Sequence, residues 1–193
     1  MKIGKVRKQV YVVHGYNASP TSHWFPWMKE KLSEKGVAVD ILKMPNSSEP
    51  NLDAWTRHLS RSCELNDDSF FIAHSLGTIT LLRYLEQAEG KERIGGFLLV
   101  SGFSKPLPEL SLLDEFTRDP LDFDSIVNIT SHRLVLASRD DPIVPFTYSK
   151  ELAERIRAEF HQVEKCGHFL GIEGFTTLPI VYDLVSKAMG LDP

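Results

Sequence analysis

The sequence predicts an α/β fold: a mostly parallel sheet of six strands in the order 2-1-3-4-5-6, with helices on both faces and right-handed crossovers. Three observations predict the parallel sheet and its flanking helices. Short apolar runs recur along the chain (Val10–Val13, Phe70–Ala73, Gly95–Val100, His132–Ala137), with the length and continuity of strands buried on both faces. Segments of helical period alternate with them, the pattern of βαβ units. The 193 residues suffice for a single domain spanning 1–193 with a real core, and no repeat or Gly/Ser-rich linker divides them.

Val10–Val13 is the first strand, and His14-Gly15-Tyr16-Asn17 follows it. Gly15 there tolerates unusual dihedrals and lets backbone approach a ligand. Ser22–Lys35 is the first helix, with Trp24, Trp27, Met28 and Lys31/Leu32 on one face and Gly36 as its stop. His23, Trp24 and Trp27 fit either a pocket wall near the first loop or core, where large apolar residues usually go. Val37–Met44 is the second strand, ended by Pro45, and Leu52, Trp55 and Leu59 mark the second helix. The third strand, Phe70–Ala73, turns at His74-Ser75-Leu76-Gly77 into a helix reaching about Glu89, with Arg83, Glu86, Gln87 and Glu89 facing outward. After the fourth strand and Ser101-Gly102-Phe103 comes the least regular stretch, Lys105–Ile129, read as two short helices crossing the top of the sheet. It fits a lid or a packed surface excursion equally. The fifth strand runs into Asp140-Asp141-Pro142-Ile143-Val144-Pro145. Helix Thr147–Arg157, strand Phe160–Val163, the loop Lys165–Phe169 and helix Phe175–Met189 complete the chain.

Bulk properties narrow the function classes. Apolar residues make up 42%, charged residues 25%, and the net charge is −4, without the basic excess of a nucleic-acid binder. Lys2, Lys5, Arg7 and Lys8 precede only the short Val10–Val13 run, too short for a signal-peptide core, and no stretch approaches a membrane span. A cytoplasmic protein is expected, with Cys63 and Cys166 as reduced thiols. Neither a G-x-G-x-x-G nor a P-loop string occurs, and the seven histidines show no metal-ligand spacing. No metal, organic cofactor, nucleic acid or membrane is expected, and a protein partner is not indicated.

The chemistry concentrates at Ser75. Ala73-His74-Ser75-Leu76-Gly77 matches the small-x-Ser-x-small pattern of a nucleophile elbow, in the strand–turn–helix context that the motif requires. The other reading is a serine capping the helix. An elbow exposes the serine oxygen above the sheet and aims the Leu76 N–H at a developing oxyanion, with Tyr16 N–H from the first loop as second donor. A serine hydroxyl needs an adjacent base. His168 fits that role and an aspartate of the Asp140-Asp141 pair fits its orienter, in the chain order Ser, Asp, His. Asp141, directly before Pro142, is preferred, with Asp140 solvated or capping. Cys166 lies too near His168 in sequence for a Cys–His dyad. Phe103, Phe116 and Phe169, with Tyr16, His14, His23, Trp24 and Trp27, are expected to bound a narrow, shallow substrate site.

Val10–Asn17, His23–Trp27, Met44-Pro45, Ala73–Gly77, Leu99–Gly102, Asp140–Pro145 and Cys166–Phe169 together resemble the YdeN-like small serine hydrolase family, which includes the retinoblastoma-binding protein 9 type. The likeness covers nearly the whole chain, and Ala73 departs from the general motif's glycine. It implies a compact α/β-hydrolase without a large cap, a triad of Ser75, Asp141 and His168, and no cofactor. It also favours Asp141 over Asp140. The expected reaction is hydrolysis of a small carboxylic ester or related acyl bond through an acyl-serine. The alternative is a protein-interaction or ligand-binding module on a hydrolase scaffold.

Overall fold

A computed structural model describes residues 8–88 and 93–191. Six parallel strands form one sheet: β1 (Gln9–Val13), β2 (Ala38–Leu42), β3 (Ser69–His74), β4 (Gly96–Val100), β5 (Arg133–Ser138) and β6 (Glu159–Val163). Their order is β2-β1-β3-β4-β5-β6, as expected, with Val13 opposite Ala73 and Ala73 opposite Leu99 in register. Lys2, Lys5, Arg7 and Glu89 lie outside the described residues.

Strand alternation divides the core into two layers. Val10, Val12, Phe70, Ile72, Leu98 and Val100 pack toward α1 (Phe25–Glu34) and α6 (Pro179–Ala188). Tyr11, Val13, Phe71, Ala73, Phe97 and Leu99 pack on the opposite face, covered by α2 (Leu52–Ser62), α3 (Leu76–Leu85), α4 (Phe123–Ile129) and α5 (Phe146–Arg155). Among the described residues no helix is long and apolar enough to cross a membrane.

Three readings change. The first helix starts at Phe25, because Ser22–Trp24 form a turn in which Ser22 Oγ accepts the Ser19 N–H and His23 takes a φ of 54°. The last helix starts at Pro179, since Phe175 N–H turns back to the Leu170 carbonyl and a 3₁₀ turn occupies Gly171–Glu173. Arg83 is buried rather than outward. Its Nε donates to Phe116 O, its two Nη groups reach Pro120 O and Asp119 O, and Glu86 balances its charge at 2.9 Å. The Lys105–Ile129 stretch does contain two short helices, a 3₁₀ segment at Ser111–Phe116 and α4. Leu113, Phe116, Ile126 and Ile129 join the core layer of α3, so Arg83 pins the stretch as packed flank.

Candidate active site

Ser75 joins β3 to α3 with φ 53° and ψ −123°, a backbone region costly to any residue with a Cβ. Its side chain makes no capping bond to α3, so helix capping does not explain the strain. The turn is held from outside: Ser75 N–H donates to Val100 O (3.0 Å), and Thr78 donates to Ser75 O through N–H (2.9 Å) and Oγ1 (2.6 Å). Gly77 is required by close approach, because a Cβ there would lie 2.7 Å from His14 O and nearer still to Val13 O. Leu76 opens α3, so its N–H is among the unpaired donors at a helix N-terminus. Gly15 brings the first loop against the elbow: a Cβ there would stand 2.9 Å from Ser75 Cβ. Space rather than an unusual φ sets the residue at Gly15.

His168 Nδ1 lies 2.8 Å from Asp141 Oδ2 and 3.0 Å from Oδ1, and both side chains are 3% exposed. A carboxylate only accepts, so Nδ1 carries a proton, and in the neutral ring Nε2 is the acceptor. Asp141 is itself fixed by three more donors: Ile143 N–H and Val144 N–H (2.9 Å each) and Ser101 Oγ (2.7 Å). Ser101, at the end of β4 with φ 51°, was not singled out from sequence. Asp140 turns the other way. It accepts from Ser138 Oγ (2.6 Å), Gly167 N–H (2.9 Å) and Cys166 N–H (3.1 Å). The Ser138 hydroxyl, then the Gly167 N–H, holds its carboxyl below the usual carboxylate range.

Ser75 and His168 share a cavity of about 260 Å³ with Gly15, Tyr16, His23, Leu110, Ile143 and Leu170. Of the residues expected to bound it, Tyr16 and His23 do so. Five others lie elsewhere. Trp24, Phe103 and Phe169 are core residues at 1% exposure or less, Trp27 packs on Tyr182 of α6, and Phe116 is core beside Trp55. His14 is locked into the loop: Met44 N–H donates to its Nε2 (3.1 Å), so Nδ1–H donates to Gly15 O (2.9 Å), and burial pushes its pKa down. His74 stands beneath the site, its ring centroid 4.9 Å from that of His168, donating from Nε2 to His168 O (2.9 Å). Burial, then the charge of His168, drives its pKa well down. Leu110, Ile143 and Leu170 carry no sequence signal beyond apolarity in a loop.

This fold, with β3 running through Ser75 into α3, is that of an α/β-hydrolase. Mouse alpha/beta hydrolase domain-containing protein 10 superposes with a TM-score of 0.70 at 12% identity, covering 94% of this chain and 89% of that one. The chain belongs to the serine hydrolase family, whose model it matches over residues 10–187. It is 50% identical over 181 residues to YdeN of Bacillus subtilis (strain 168), covering 93% of this chain and 95% of YdeN. The crystal structure of the ydeN gene product superposes with a TM-score of 0.92 at 48% identity, covering 95% and 99% of the two chains. The serine hydrolase RBBP9 of Rattus norvegicus is 23% identical over 171 residues, 88% of this chain and 90% of that one.

Proposed function

We propose that this hydrolase cleaves small carboxylic esters through an acyl-Ser75 intermediate, with His168 as base, Asp141 as its orienter, and Tyr16 and Leu76 N–H groups as oxyanion donors. The observation that carries the reading is the buried Asp141–His168 hydrogen bond, which leaves Nε2 of His168 as an acceptor in the cavity that Ser75 enters. Ser75 Oγ attacks the carbonyl carbon while His168 Nε2 takes its proton. The carbonyl oxygen becomes an oxyanion received by the two N–H groups. Collapse expels the alcohol, protonated by His168, and leaves the acyl on Oγ. A water then repeats the steps, His168 removing its proton, and the acid departs. Asp141 stays ionised and stabilises the imidazolium that forms twice.

The substrate is a small-molecule ester. A cavity of about 260 Å³ walled by Leu110, Ile143 and Leu170 supports a short acyl group, since pockets for drug-sized ligands start near 300 Å³. The reading is tested by fluorophosphonate labelling and by kcat/KM across nitrophenyl esters of two to twelve carbons. Labelling of Ser75 and a maximum near acetyl or butyryl are expected. Labelling elsewhere, or efficiency rising to the long end at roughly 0.8 kcal/mol per methylene, overturns it.

A further inference from the structure

The loop that presents His168 is held in an unusual way. It contains two residues in the left-handed region, Gly167 (φ 51°) and Phe169 (φ 57°), which turn successive N–H groups inward. Such concave runs of N–H groups bind anions. Here the anions are two carboxylates of the chain itself. On one side Asp140 takes Gly167 N–H and shares Cys166 N–H with Ser138 Oγ, at 3.1 Å against 2.9 Å. Glu173 takes His168 N–H (2.9 Å to Oε2) and Leu170 N–H (2.9 Å) on the other. The remaining donor, Phe169 N–H, closes a turn on Cys166 O. Every N–H from 166 to 170 is therefore engaged. Glu173 also lies flat against Gly167, where a Cβ would meet its Cδ at 2.6 Å. That contact and the positive φ both demand glycine there.

We propose that Glu173 and Asp140 are positioning residues that set the direction of the His168 ring by clamping its loop from both sides. The proposal rests on His168 being the base. The Asp141 bond fixes one ring nitrogen, and the direction from which the ring reaches it is set by the backbone. The two clamps, with the His74 bond to His168 O, fix the backbone from which the ring projects. Neither carboxylate lines the cavity, so neither acts on substrate directly. Hydrogen bonds to ionised acceptors are about twice as strong as neutral ones, which suits a loop that must hold a catalytic angle.

The experiment compares Glu173→Gln, Glu173→Ala and Asp140→Asn, each alone and combined with His168→Ala, using nitrophenyl acetate. Glu173→Gln is isosteric, and thermal melts verify that each variant folds. In the parent background we expect kcat to fall about tenfold for Glu173→Gln and Asp140→Asn, and further for Glu173→Ala, with KM within about twofold. In the His168→Ala background the same substitutions should change kcat less than about twofold, since they act through a ring no longer present. Unchanged kcat in all three single variants, or equal losses in both backgrounds, overturns the proposal. If His168→Ala itself keeps full activity, the reading of the site fails first and the clamp fails with it.

Discussion

The two ends of the sheet differ in a way that cavity size reverses. At the amino ends of β5 and β6 lies a cavity of about 590 Å³, bounded by Arg133, Arg157, Glu159, Lys187 and Met189. At the carboxyl ends lies the 260 Å³ cavity of Ser75 and His168. In the larger one the half-buried Arg133 is already committed: it donates to Ile156 O, Val127 O, Thr130 O and Arg157 O, closing loops. At the smaller one, strain and convergence accumulate. Asn17, His23, Ser75, Ser101 and Phe169 all take positive φ there, and Ser75 does so without a capping bond to explain it. Open parallel sheets gather ligands at their carboxyl edge because helix N-termini and their unpaired N–H groups point there. Of these two cavities the smaller is the one where convergent polar groups meet strained backbone.

The comparison is broken most severely at Ser75. Ser75→Ala should lower kcat on nitrophenyl acetate by about a million-fold, the scale of losing a triad nucleophile, with an unchanged circular dichroism spectrum. Activity surviving that substitution would remove the chemistry from the carboxyl end. Asp141→Asn should cost roughly ten thousand-fold, by upsetting the tautomer of His168, while Asp140→Asn should cost about tenfold. Equal losses would mean that the two aspartates share the orienting role.

A smaller effect separates the ends by pH. Burial holds His14, His23 and His74 at lowered pKa, so they are neutral in the fold, whereas an unfolded chain protonates them near their ordinary 6.5. Between those lowered values and about 6.5 the unfolded state binds more protons, so stability is lost as pH falls through that window. Tm should drop between about pH 7.5 and 5.5, and His74→Gln should flatten the slope. A Tm insensitive to pH there would contradict neutral buried histidines. The smallest effect is expected at the amino end: Lys187→Ala, in the larger cavity, should alter kcat/KM less than about twofold. A larger change would show that the two ends communicate.

Much of this was legible in the chain. Continuous apolar runs become strands buried on both faces wherever they fall, so β1, β3, β4 and β5 could be placed by local pattern alone. The elbow was legible because its requirements are contiguous: small residues at Ala73 and Gly77 flank a strand-to-helix turn. The order of Ser75, Asp141 and His168 was legible too, since parallel topology brings each to the same edge.

What the sequence left open depends on side-chain direction and distant partners. Asp140 and Asp141 are neighbours in one turn, and only the path of the His168 loop decides that one faces the imidazole and the other the loop's N–H groups. Trp24, Phe103 and Phe169 sit near the site in sequence, yet each turns into a core layer, because which side of the sheet a loop residue faces is a tertiary property. His14 becomes structural only when Met44, thirty residues on, donates to its ring. Ser101 meets Asp141 across forty residues, and Arg83 is buried only because the stretch after β4 folds over it. Local periodicity determines elements and the order of chemical groups. Which groups meet is decided by packing across the sheet, where the nearest neighbour in space is distant in the chain.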